Sequence, residues 1–182
     1  MESKLFTPVT FGPLTLRNRT IRSAAFESMC PGNAPSDMLL DYHRSVAAGG
    51  ISMTTVAYAA VTQSGLSFDR QLWMRPEIIP GLRKLTDAIH AEGAAGIQLG
   101  HCGNMSHKSI CGCTPVGASS GFNLYSPTFV RGLRAGELPE MARAYGKAVN
   151  LAREAGFDAV EIHAGHGYLI SQFLAFDQSS QR

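Results

Sequence analysis

The sequence predicts an α/β fold in which a short hairpin precedes strands that alternate with helices in a parallel sheet. Three observations predict it. First, one unit recurs at Val46–Val61 (VAAGGISMTTVAYAAV), His90–His101 (HAEGAAGIQLGH) and Arg153–His166 (REAGFDAVEIHAGH). Each copy reads as a helix end in small residues and Gly, the residue that accepts left-handed angles just past a helix. Second, each is followed at once by a short apolar run, the pattern of a strand buried on both faces. Third, the segments before these glycines carry helical period.

The elements follow in order. LFTPVTFGPLTLRNR, from Leu5, reads as a hairpin turning at Gly12-Pro13. A first strand is expected near Thr20 to Phe26. Ser36 is the N-cap of a helix whose face carries Leu39, His43 and Val46. Pro76 and Glu77 start a second helix with the stripe Ile78, Ile79, Leu82, Leu85 and Ile89. A third presents Leu138, Met141, Ala142, Tyr145, Val149 and Ala152 on one face. Its Pro139 needs no N–H partner, and Glu137 and Glu140 suit the positive end of the helix dipole. A fourth strand runs from Phe157 to Ile162, and a fourth helix begins at about Tyr168. An open doubly wound sheet or part of a (β/α)8 barrel fits this order. No G-x-G-x-x-G follows the first strand, which weakens the dinucleotide-binding reading.

Residues 1–182 are read as a single domain. Hydrophobic residues make up 45% and charged residues 16%, which fits a packed core and argues against disorder. The net charge is +2 with no Lys/Arg run, so neither nucleic acid nor a membrane surface is an expected partner. MESKLFTPVTFG has no apolar signal core, and no apolar run approaches the roughly 20 residues of a spanning helix. The expectation is a cytoplasmic protein whose Cys30, Cys102, Cys111 and Cys113 are free thiols. Cys111-Gly112-Cys113 is spaced more tightly than a zinc pair and has no second pair, so it reads as ordinary loop cysteines.

In either architecture ligands bind at the carboxyl ends of the strands. The residues expected there are Ala24, Ala25, Phe26 and Glu27, then Ala57, Tyr58 and Ala59, then Gln98 and His101, then His163, His166 and Tyr168. The opposite ends carry only Gly and Ala. Two imidazoles three residues apart, flanked by Gly165 and Gly167, and a phenol two residues on are an unusual density for a strand-to-helix turn. Each has a plain alternative as a structural His or a first-turn core Tyr. His163, His166 and His101 are also a conceivable zinc set, but no carboxylate stands out as fourth ligand or base, and no metal is assigned.

AGFDAVEIHAGHGYLISQFL resembles the signature of the Old Yellow Enzyme family, the NADH:flavin oxidoreductases, which are FMN-dependent (β/α)8 barrels. LFTPVTFGPLTLRNRTIRSA resembles the family's hairpin and first strand, GGISMTTVAYAAVTQSG its second strand and loop, and GIQLGHCGNMS its third, usually QL-x-H-x-G-R. The resemblance implies a partial (β/α)8 TIM barrel, the first four βα units behind an N-terminal β-hairpin. It implies FMN as cofactor, NADH or NADPH as reductant and a small enone as substrate. Ala24 and Ala25 would underlie the isoalloxazine ring with Phe26 at its edge, Ala57 or Tyr58 would contact it, and Gln98 would bond its pyrimidine part. His163 and His166 would donate to the substrate carbonyl oxygen, stabilising the enolate as an oxyanion hole does. Tyr168 would protonate the α-carbon as general acid.

The chain also departs from the pattern. Asn104 stands where the family has an arginine, Phe26 where it often has Cys or Thr, and the family's FLSP gives way to a tail, 175–182, unlike its sequence. A complete barrel takes about 250 residues, and its phosphate site usually comes from the loops after strands seven and eight. The expectation is therefore the N-terminal half of an ene-reductase that alone binds FMN weakly and exposes sheet edges. Self-association or a C-terminal half-barrel partner would cover those edges. The alternatives are an inactive fragment or split-barrel half, and a non-flavin α/β binding or metal protein reusing the His pair.

Overall fold

The computed structural model describes residues 3–175. The tail beyond Ala175 lies outside the described residues. The hairpin forms as expected, β1 (Val9–Phe11) against β2 (Leu14–Leu16), with Gly12 at φ 55 in the turn. There follow β3 (Ile21–Arg22), α1 (Asp37–Ala48), β4 (Met53–Ala60), α2 (Ile79–His90) and β5 (Ala94–Gly100). A short helix α3 (Lys108–Cys111) leads into β6 (Val116–Gly117), β7 (Gly121–Asn123) and β8 (Thr128–Gly132). The chain then builds α4 (Leu138–Glu154), β9 (Ala159–Ile162) and α5 (Leu169–Leu174).

The main sheet has the order β3-β4-β5-β9, parallel throughout. Sequence neighbours are sheet neighbours, and α1, α2 and α4 make the crossovers. This is the expected half of a (β/α)8 barrel. The core packs α1, α2 and α4 onto the sheet through Leu39, Val56, Leu82, Leu85, Ile97 and Ala152. Ser36 caps α1 by accepting the Leu39 N–H at 3.2 Å. Ala47, not Val46, completes its buried face.

Three differences from the sequence reading have physical causes. The first strand pairs only at Ile21–Arg22, not to Phe26. Glu27 Oε1 accepts the Ala57 N–H at 3.2 Å, so a β4 donor is met by a side chain rather than by another strand. The three-stranded sheet β6-β8-β7 was not anticipated, because strands this short carry too little period to be read. Of the apolar stripe read on α4 only Ala152 is buried, and the helix's other buried residues, Ala148 and Leu151, lie outside that stripe. Among the described residues β9 has β5 as its only sheet neighbour, so Leu138, Met141 and Tyr145 line an open apolar groove with Ile162, Leu169 and Phe173. No described helix is long and apolar enough to cross a membrane.

Candidate active site

A cavity of about 210 Å³ opens at the carboxyl ends of the parallel strands. It brings together nine of the expected residues, Ala24, Ala25, Phe26, Ala57, Tyr58, Gln98, His163, His166 and Tyr168, but not Glu27, Ala59 or His101. The floor is alanine. β4 slips register between Val56 and Ala59, which lets the consecutive Ala57 and Tyr58 both reach the cavity. Such irregularities re-aim side chains beside functional sites. Gly100 on β5 makes room for Tyr58, since a Cβ there would run into the phenol ring. The Tyr58 hydroxyl donates to Gly65 O at 2.6 Å, and burial pushes its pKa well up, so it stays a phenol.

The β9–α5 turn supplies the polar wall. His163 is buried, and its Nδ1 accepts the Gly165 N–H at 3.1 Å. His163 Nε2 lies 3.0 Å from His166 Nδ1. Burial first, then His166, lowers the His163 pKa, so the ring is neutral near neutral pH. With Nδ1 accepting, the pattern assigns its proton to Nε2. His166 stands at φ 55 beside Gly167 at φ 68, a left-handed pair that turns the exposed imidazole toward the cavity. Non-glycine residues with such angles cluster at functional sites. The Tyr168 ring packs 4.8 Å from His163 and 5.3 Å from Tyr58, and its hydroxyl has no partner among the described residues. Gln98 Nε2 donates to Glu161 Oε1 at 2.7 Å, leaving its carbonyl oxygen free among those residues.

His101 does not join the group. It is fully buried, its Nδ1 accepts the Gly103 N–H at 3.0 Å and its Nε2 meets Ser64 Oγ at 3.0 Å. Burial lowers its pKa to about 4. Its Nε2 serves the Gln63–Gly65 turn and its Nδ1 the Gly103–Met105 turn, which removes it from a zinc set with the cavity histidines. Among the described residues no cluster of three His, Cys, Asp or Glu is placed to hold a metal.

Four cavity-shaping residues escaped the sequence reading. Phe68 stacks on Phe26 at 4.8 Å and walls one side. Gln71, almost fully buried, accepts from Ser67 N at 2.8 Å and donates to Tyr58 O at 3.2 Å, tying that wall to β4. Gln172 donates to Gly167 O at 2.6 Å and Asn104 Oδ1 at 2.8 Å, joining the His turn to the loop after β5. Only Gln172, one turn after Tyr168 in the signature stretch, had a signal; Ser67, Phe68 and Gln71 lie in a loop without pattern.

Behind the floor, Glu27 pairs with Arg22 at 2.9 Å and lies 3.3 Å from His43 Nε2. The last contact lacks hydrogen-bond alignment. Arg22 also donates to Thr55 O at 2.7 Å and Ala25 O at 3.3 Å. This buried cluster fixes the Ala24–Phe26 segment against β4.

An apolar floor with imidazole, phenol and amide groups at its rim, at the carboxyl ends of a parallel half-barrel, is the kind of site that (β/α)8 barrels build for ligands. The comparisons give the family. The chain belongs to the NADH:flavin oxidoreductase / NADH oxidase family, whose model matches residues 4–182. It is 41% identical over 172 residues to a 4,4'-dithiodibutanoate disulfide reductase of Rhodococcus erythropolis, covering 94% of this chain and 43% of that protein. It is 34% identical to an NADPH dehydrogenase of Bacillus subtilis, covering 96% of this chain and 52% of the relative. Among solved structures, the old yellow enzyme homologue of Zymomonas mobilis superposes with a TM-score of 0.90 at 27% identity, over 99% of this chain and 53% of that one. Morphinone reductase, solved with tetrahydroNAD, superposes with a TM-score of 0.89 at 27% identity, over 96% and 53%. The chain spans about half the length of the relatives it matches.

Proposed function

We propose that this chain carries the ring-binding and proton-transfer half of an FMN-dependent NAD(P)H oxidoreductase of the ene-reductase type. It acts on the activated C=C bond of an α,β-unsaturated carbonyl. The observation that carries the reading is the convergence of His166, Tyr168 and Gln98 on one alanine-floored cavity. The residues fit FMN. Ala24, Ala25 and Ala57 offer a flat apolar platform, and the free Gln98 carbonyl matches a pyrimidine N–H.

When bound, FMN supplies the hydride and is recharged by NADH or NADPH. The chain's own groups do the rest. His163 holds His166 in one tautomer, and the outward His166 N–H meets the carbonyl oxygen where negative charge develops. Tyr168 holds the proton destined for the α-carbon. Phe26 and Phe68 exclude water from one side. The open β9 edge and the groove beside it support a second half-barrel, in the same or a partner chain, as the completing element.

The test is the visible spectrum of the purified chain after incubation with FMN and desalting. A retained flavin band that shifts on adding phenol is the expected result once the second half-barrel is supplied. Retained flavin with no response to phenol in the completed barrel sinks the ene-reductase reading.

A further inference from the structure

The cavity chemistry leaves one reactive pair unused. Cys111 ends α3, Gly112 follows at φ 71, and Cys113 comes next. Cys113 Sγ lies 3.6 Å from Cys111 Sγ, with nothing between them. Cys111 is buried and Cys113 exposed. Cys111 Sγ also faces Cys113 O at 3.2 Å, so its thiol is turned back along the loop toward its neighbour.

We propose that Cys111 and Cys113 form a redox-active dithiol that reduces low-molecular-weight organic disulfides and closes to an intraloop disulfide, Cys113 attacking and Cys111 resolving. Access sets the order, because Cys113 is the only exposed thiol of the four. Proximity sets the outcome, because a second thiol already touches the sulfur that is attacked in the second exchange. Gly112 lets the turn tighten. A Cβ there would meet only Gln63 Nε2, at 3.4 Å, and the left-handed angle costs glycine nothing.

The step balances. The Cys113 thiolate attacks one sulfur of R–S–S–R, that S–S bond breaks, a Cys113–S–S–R mixed disulfide forms, and RS⁻ leaves and takes up a proton. Cys111 loses its proton to solvent and attacks the Cys113 sulfur, and the second RS⁻ leaves. The dithiol gives up two electrons and two protons, and R–S–S–R becomes two RSH.

The other cysteines do not compete. Cys30 and Cys102 are buried, and burial pushes both thiols up to about 12. Burial and the Cys111 contact raise Cys113 to about 11, so its thiolate is scarce at neutral pH and the reaction is best followed in mild alkali.

The test incubates the folded chain with oxidised glutathione and maps unreduced peptides by mass. The expected product is a Cys111–Cys113 peptide lighter by two hydrogens, with no glutathione attached and with Cys30 and Cys102 unmodified. Cys111→Ser is expected to retain glutathione on Cys113, and Cys113→Ser to stay unreacted. Glutathione persisting on Cys113 of the wild type, a fully reduced wild type, or equal modification of all four cysteines each overturns the proposal. The wild-type mass decides by itself, even where Cys111→Ser, a change at a buried site, unfolds the chain.

Discussion

His163 Nε2 lies 3.0 Å from His166 Nδ1, and His163 Nδ1 in turn accepts the Gly165 N–H at 3.1 Å. The turn therefore forms a relay of one direction: backbone N–H to His163, His163 to His166, His166 outward. The family resemblance implies two imidazoles donating side by side to one oxygen. In this arrangement a single outward N–H is presented, and the buried ring fixes its tautomer and angle.

His166→Ala removes that outward donor. In the FMN-loaded protein, phenol affinity is expected to fall about tenfold or more, the worth of one hydrogen bond to a charged oxygen. Titration of the flavin band with phenol measures it. His163→Ala is expected to weaken binding as well, by freeing the His166 ring to rotate, and an unchanged affinity in that variant would contradict the relay.

Tyr168→Phe keeps the ring, which packs on His163 and Tyr58, and removes the unpartnered hydroxyl. Enone reduction is expected to slow by about 10² to 10⁴, the usual range for losing a general acid. Phenol binding is expected to stay nearly unchanged. Loss of both together would mark Tyr168 as a packing residue only.

Glu27→Ala is expected to destabilise the fold by about 3 kcal/mol, since it leaves Arg22 and the Ala57 N–H without their buried acceptor. Urea unfolding measures the loss. Glu27→Gln keeps an acceptor and is expected to cost less. The same change loosens the Ala24–Phe26 segment, so hydrogen exchange at Ala57 should accelerate before global unfolding does.

The sequence showed the half-barrel because its helices end in Gly and its strands are unbroken apolar runs, signals that depend on local chemistry alone. The cavity residues were legible for the same reason: they sit at strand ends, where the architecture places ligands. What stayed hidden depends on contacts distant in sequence. Glu27 cuts β3 short by reaching Ala57, and Gln71 is buried under Tyr58, neither of which leaves a periodic trace. His101 looked equivalent to His163 in sequence, yet the Gln63–Gly65 turn claims it.

Gly100→Ala tests how tightly the site is packed. Its new methyl group collides with the Tyr58 ring and comes within 3.1 Å of His163 Cβ. Overpacking of this kind costs about 1–3 kcal/mol. Because the strain falls on Tyr58 and His163, phenol affinity is expected to fall further than stability alone explains. A variant with unchanged affinity and stability would show that the Tyr58 ring is free to move.

Acid stability should carry the mark of one surface carboxylate. Glu137 takes both Arg131 guanidinium nitrogens, at 2.7 and 2.9 Å, and accepts the Arg134 N–H at 2.8 Å. Arg131 first, then that backbone bond, lowers its pKa from 4.5 to about 2. A folded-state pKa below the unfolded one stabilises above the unfolded value, and the contribution is lost as pH falls through the folded one. The bond joins β8 to the start of α4, so its stabilisation is complete above about 4.5 and fades toward about 2. Glu137→Gln is expected to be less stable than the wild type at neutral pH and to converge with it near pH 2. The pair is partly exposed, so added salt should narrow the gap. Thermal unfolding across that pH range measures both effects, and a constant difference between the two proteins would exclude Glu137 as the titrating group.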